Sequence, residues 1–117
     1  MKISEIVKLL DAKVICRQDL CQNEVSTACA SDMMSDVLAF VKDQAVLITG
    51  LNNPQVVRTA IMMDMVCIVY VRNKTPDEMS VALAKEKGIV LMSCSERMFL
   101  ACGKLYQAGL MGGDLEL

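Results

Sequence analysis

Three short polar stretches hold most of the residues whose types and spacing suit chemistry: Thr49-Gly50-Leu51-Asn52-Asn53, Arg72-Asn73-Lys74-Thr75 and Ser93-Cys94-Ser95-Glu96. None is a Gly-x-Gly-x-x-Gly turn or a Gly-Lys-Ser/Thr phosphate loop. The first has a single glycine, too few for backbone to close on a pyrophosphate. Cys94 is the best nucleophile candidate, because a helix start favours the thiolate. The chain has no histidine to serve as its base, and Glu96 reads as a capping partner. Arg72, beside Asn73 and Lys74, has the donors to hold an anion against a helix beginning at Thr75. Asp32, Asp36, Asp77 and Glu78 invite a metal reading, but each falls at a helix start or first turn, where carboxylates are favoured anyway. Cys16, Cys21, Cys29 and Cys94 offer a thiol, iron–sulfur or other metal role. Cys67 and Cys102 read as small core residues. The expectation is no catalytic set, no metal and no cofactor.

The elements that position these loops follow from hydrophobic spacing. Ile3, Ile6, Val7 and Leu10 mark a first helix from Ser4, with Ser4 as its cap. Residues 13–16 read as a short strand and 24–30 as a second extended segment. Ser31 reads as the cap of a helix through Val41 with Met34, Val37, Leu38 and Val41 as its stripe. Residues 45–49, 67–71 and 89–92 are continuous apolar runs, the pattern of strands covered on both faces. Asn53-Pro54 opens a helix with a capping side chain and a first-position proline. Thr75-Pro76-Asp77-Glu78 combines a cap, a proline and a capping box, with Met79, Ala82 and Leu83 facing inward and Gly88 as the stop. Ser93 and Glu96 form a second capping box. It opens a last helix that buries Met98, Phe99, Cys102, Leu105 and Tyr106.

Pro54 and Pro76 stand 22 residues apart, and strand starts at 45, 67 and 89 share that interval. Three strand–turn–helix units in series predict an α/β fold: one layered domain over 1–110, a mostly parallel sheet of about five strands with helices on its faces, and a flexible tail at 111–117. The three polar stretches then lie at the carboxyl ends of the strands, where such sheets bind ligands.

Composition narrows the function. At 117 residues the chain fits one domain, and 54% hydrophobic residues supply its core. The net charge of −2 comes without a basic stripe, so no nucleic-acid partner is expected. The apolar run from Met65 to Val71 is far short of a membrane span, and the N-terminal stretch carries Glu5 and Lys8 rather than a signal-peptide core. No membrane partner and a cytoplasmic location are expected, with the cysteines reduced.

Several stretches together resemble the DRTGG domain: MKISEIVKLLDAKVI, ASDMMSDVLAF, IVYVRNKTPDEM, ALAKEKGIVLMS and FLACGKLYQAGL, in order over nearly the whole chain. The resemblance implies an α/β module without catalytic activity. Such modules stand alone, beside CBS domains in regulatory proteins, or in front of phosphotransacetylase domains, and are similar to the non-catalytic N-terminal domain of HPr kinase. It also implies self-association, often as a dimer, and a protein partner in a regulatory or iron–sulfur and hydrogenase-related setting. The family's signature turns are altered here. Its Gly-Asp-Arg turn corresponds to Gly50-Leu51-Asn52-Asn53, its Thr-Gly-Gly turn to Val71-Arg72-Asn73, and its later Asp-Thr pair falls near Glu96-Arg97.

The resulting expectation is a regulatory or interaction module, homodimeric, that senses a small anionic ligand. Thr49, Gly50, Asn52, Asn53, Arg72, Asn73, Ser93 and Ser95 are the candidate ligand-binding residues. Met33, Met34, Met62, Met63 and Met65 are the candidate dimer interface, because neighbouring methionines cannot all face one core. The alternatives are a nucleotide- or phosphate-binding module at the same loops, and the cysteine-based role.

Overall fold

The computed structural model describes residues 1–39 and 44–112. In chain order the elements are α1 (Ile3–Leu10), β1 (Lys13–Cys16), a 3-10 turn (Gln18–Leu20), β2 (Thr27–Ala30), α2 (Met34–Leu38), β3 (Ala45–Thr49), α3 (Pro54–Met62), β4 (Cys67–Tyr70), α4 (Glu78–Lys87), β5 (Val90–Ser93) and α5 (Met98–Gln107). The five strands make one sheet in the order β1-β5-β4-β3-β2. β2 through β5 are parallel, with Val46 opposite Cys67 and Cys67 opposite Val90. β1 joins the far edge antiparallel to β5, setting Lys13 opposite Ser93. This is the expected α/β fold with a mostly parallel sheet.

Strand alternation divides the core. Val46, Ile48, Cys67, Val69, Val90 and Met92 face α1 and α5, which contribute Ile3, Ile6, Leu10, Ala101 and Leu105. Leu47, Ile68, Tyr70 and Leu91 face α2, α3 and α4, which contribute Val37, Val56, Val57, Ala60 and Ala84. β3 and β4 are buried along their whole length. Each buried aliphatic side chain contributes roughly 1.5–3 kcal/mol, so these two strands anchor both layers.

Helix starts depart from expectation in four places. α1 begins at Ile3, and the Glu5 carboxylate accepts the Lys2 N–H at 2.9 Å, so Ser4 lies inside the helix. α2 begins at Met34; Ser31 Oγ instead accepts the Met33 N–H at 2.9 Å, one turn early. Val41, the expected end of its stripe, lies outside the described residues. α4 begins at Glu78, capped by Asp77, whose Oδ1 accepts the Ser80 N–H at 2.8 Å. Pro76 drives Thr75 toward extended backbone, and the Thr75 carbonyl is taken by the Asn52 amide at 2.8 Å. α5 begins at Met98 with Arg97 before it, because Ser93 is still strand.

The inward faces shift accordingly. In α4, Ser80 and Ala84 are buried while Met79 and Ala82 are exposed. In α5, Ala101 and Leu105 pack on the sheet, and Phe99 and Tyr106 point to solvent. Among the methionines, Met33 and Met62 are exposed and Met34 and Met63 half-buried, but Met65 is in the core. Its N–H bonds the Ala60 carbonyl as the chain turns into β4, which tucks the side chain under α3. At the other end, Met111 is not loose: its carbonyl accepts the Ala28 N–H at 2.9 Å beside β2. The rest of the expected tail, from 113 on, lies outside the described residues.

The cap of α4 is testable through acid. The Ser80 N–H holds the Asp77 carboxyl below its ordinary value. A value depressed by folding gives stability that is complete above the unfolded value of about 3.9 and is lost as pH falls through the folded value. Asp77→Ala is expected to lower the urea midpoint near neutral pH and to make the acid decline below about pH 4 shallower. Thr75→Ala should change neither, and urea titrations at several pH values compare the two.

Candidate functional site

The carboxyl ends of β3, β4 and β5 carry the three polar loops side by side. After β3, Asp32 reaches in from the β2–α2 connection: its Oδ1 accepts the Gly50 N–H at 2.6 Å and the Thr49 hydroxyl at 3.1 Å. Thr49 Oγ1 in turn accepts the Leu51 N–H at 3.1 Å. Asn53 caps α3 by accepting the Gln55 N–H at 3.0 Å. Asn52 crosses to the neighbouring loop through its bond to Thr75.

After β4 the chain reverses on two consecutive left-handed residues, Arg72 at φ 56° and Asn73 at φ 58°. The Lys74 N–H closes the turn on the Val71 carbonyl at 3.1 Å. Positive φ at both central positions is the mirror-image turn that glycine and asparagine normally fill. Here those two positions are held by Arg72 and Asn73. The turn's N–H groups plug the next loop: Arg72 donates to the Glu96 carbonyl and Asn73 to the Cys94 carbonyl, both at 2.8 Å. Ser93 Oγ donates to the Lys74 carbonyl at 2.7 Å. The Arg72 guanidinium folds back over Gly50, where a Cβ would stand 2.3 Å from Nη2. It forms no ion pair among the described residues.

Beside this edge lies a cavity of about 520 Å³ between the start of β1 and the end of β5. Asp11, Lys13, Asn73, Thr75, Ser93 and Ser95 give it polar walls. Three of the eight candidate ligand-binding residues thus line one cavity, Asn73, Ser93 and Ser95, together with Cys94 and Thr75. Thr49, Gly50, Asn52, Asn53 and Arg72 do not line it: Thr49 and Asn53 accept from backbone N–H groups two residues on, the Gly50 N–H is held by Asp32, Asn52 donates to the Thr75 carbonyl, and Arg72 lies over Gly50. Asp11 and Lys13 were not among the sequence candidates. They arrive through the antiparallel pairing of β1, for which no local signal exists. Asp32 was set aside as a helix-start carboxylate, and its actual role is to fix the β3 loop.

The nucleophile and metal readings lose their geometry. Cys94 is buried and four residues ahead of α5. Burial pushes its thiol up, so it is held as the thiol and not the thiolate. Cys16 lies in the cluster under α3 and α4, and Cys21 and Cys94 in the cluster under α1 and α5. Burial raises Cys16 and Cys21 as well. Among the described residues no three His, Cys, Asp or Glu side chains gather as a metal site. Glu96 pairs with Lys104 rather than closing a capping box with Ser93. No described helix is long and apolar enough to cross a membrane.

The left-handed turn makes a direct prediction. A β-branched residue at positive φ is strained by about 1–3 kcal/mol. Asn73→Val should therefore destabilise by about 2 kcal/mol, while Asn73→Gly should be neutral or gain about 0.5 kcal/mol. Equal losses in urea denaturation would show that the side chain, not the backbone, matters there.

Comparison with known proteins agrees with this geometry. The DRTGG domain model matches residues 5–108. The crystal structure of the CBS and DRTGG domains of the regulatory region of Clostridium perfringens pyrophosphatase, complexed with the activator diadenosine tetraphosphate, is similar with a TM-score of 0.72 and 14% sequence identity. The likeness covers 98% of this chain and 52% of that one, so this chain spans about half the length of that relative. No curated protein matched. At such identity the structural likeness speaks for the fold alone, but the family model extends over nearly every element from α1 to α5, and the chain belongs to the DRTGG-domain family.

Proposed function

We propose that this chain is a non-enzymatic regulatory module that binds a small anionic ligand in the cavity between β1 and β5 and works as a homodimer. The observation that carries the ligand reading is the cavity itself: Lys13, Asn73 and Ser95 converge on about 520 Å³ of space at the carboxyl edge of a parallel sheet. That volume is within the range of small-molecule sites. An ammonium, an amide and a hydroxyl are the donors that phosphate or carboxylate oxygens accept from.

A non-catalytic role is supported by the chemistry of the same edge. Its best nucleophile is a buried thiol with a raised pKa, and the chain offers no histidine. The hydroxyl of Ser93 donates to the Lys74 carbonyl, and the carboxylate of Asp32 accepts from the Gly50 N–H and the Thr49 hydroxyl.

Nucleotides are the first ligands to try, because the regulatory region of the pyrophosphatase was solved with diadenosine tetraphosphate. Thermal unfolding with inorganic phosphate, ATP and diadenosine tetraphosphate tests the reading. A ligand at one hundred times its Kd stabilises by about 2.7 kcal/mol, roughly 10 °C for a domain of this size. Lys13→Ala is expected to abolish the shift, and Arg72→Ala, away from the cavity, to leave most of it. No shift with any phosphorylated compound would end the anionic reading, and a shift insensitive to Lys13 would move the site elsewhere.

A further inference from the structure

Among the described residues, two helices cover one face of the sheet and three cover the other. Strands lie about 4.8 Å apart and packed helices about 10 Å, so five strands outspan two helices by about one strand. The uncovered strip lies where β2 borders α5. It forms a groove of about 380 Å³, with Ala28, Ala30 and Ile48 on the sheet side and Cys102, Gly103 and Tyr106 on the helix side. None of its described lining residues is charged. A Cβ on Gly103 would meet no atom within 4 Å.

α5 carries two apolar stripes. Ala101 and Leu105 face the sheet. The second stripe, Phe99, Cys102, Gly103 and Tyr106, repeats at three- and four-residue steps, the spacing of a helix–helix seam. Its aromatic ends stand in solvent, Phe99 at 89% and Tyr106 at 64% exposure, with Leu100 at 49% alongside. Contiguous apolar surface of this kind marks an interaction site.

We infer that this face pairs with the same face of a second copy, α5 antiparallel to the partner's α5 across a two-fold axis. The inference rests on the homodimeric reading above and gives it a location. The seam is self-complementary: its midpoint falls between Cys102 and Gly103. An antiparallel copy therefore sets Phe99 against the partner's Tyr106 and brings the small residues together at the crossing, where the backbones approach closely. Aromatic pairs in such contact prefer offset or edge-on packing. The partner's α5 lies along the groove and supplies the third helix that this face lacks. Self-pairing needs no counter-charge, and the described lining residues offer none to a charged peptide or a nucleic acid. The exposed methionines Met33 and Met62 sit on α2 and the end of α3, on the opposite face, and have no part in this seam.

Light scattering across a dilution series of the full chain tests it. The wild type is expected at twice the 12.8 kDa chain mass at micromolar concentration. Phe99→Glu and Gly103→Glu are each expected to raise the dimer dissociation constant at least about 100-fold. Both sites are open in the monomer, and Gly103→Glu also removes a helical glycine, so circular dichroism should show an intact fold. Met62→Glu should leave the dimer unchanged. A monomeric wild type overturns the inference and the homodimeric reading together. A dimer that survives both α5 variants, or that Met62→Glu breaks instead, overturns this face alone. The ligand reading is judged separately by the thermal shifts.

Discussion

β3 and β4 have no polar face. Every residue from Ala45 to Thr49 and from Cys67 to Tyr70 is buried, so the sheet must be covered on both sides, and the remaining architecture follows from how that is done. Short crossovers place α2, α3 and α4 on one side in the order of their strands. The other side is left to α1 and α5, which bracket the series in sequence. Unequal numbers of helices over equal sheet faces leave one strip short of cover. The same constraint aligns the carboxyl ends of three strands and thereby gathers three polar loops on one edge.

At that edge the protein has committed most of its polar groups to itself. Asp32 holds the β3 loop, Asn52 ties it to the β4 loop, and the Arg72-Asn73 turn is bonded through its N–H groups to the residues after β5. These bonds tie the three loops into one unit. Among the described residues the side chains left outward there are those of Asp11, Lys13, Arg72, Asn73, Lys74, Thr75 and Ser95.

Much of this was legible in the residues. Continuous apolar runs located β3, β4 and β5 to within one residue, and Asn53-Pro54 located the start of α3. Where local signals competed, the sequence could not choose. Thr75-Pro76-Asp77-Glu78 contains two acceptable caps, and the Asn52 bond to Thr75, made from another loop, favours the second. α5 has two apolar stripes of similar quality, and only the position of the sheet decides which one is inward. Met65 adjoins Met62 and Met63 in sequence, yet the end of α3 falls between them and separates core from surface. The cavity was hardest to foresee, because half of it comes from β1, whose direction and edge are set by a partner strand at the other end of the fold.

That last arrangement orders events in time. β2 through β5 pair with near neighbours in sequence, so each pairing closes a short loop. β1 pairs with β5, Lys13 against Ser93, and must close nearly the whole described chain to do so. Loop closure grows costlier with separation, and such non-local contacts form late. The parallel units can therefore assemble while the first strand still waits for its partner. The walls contributed by Asp11 and Lys13 come into place only at that final docking. Removal of β1 would leave the four parallel strands paired and take away one wall of the cavity.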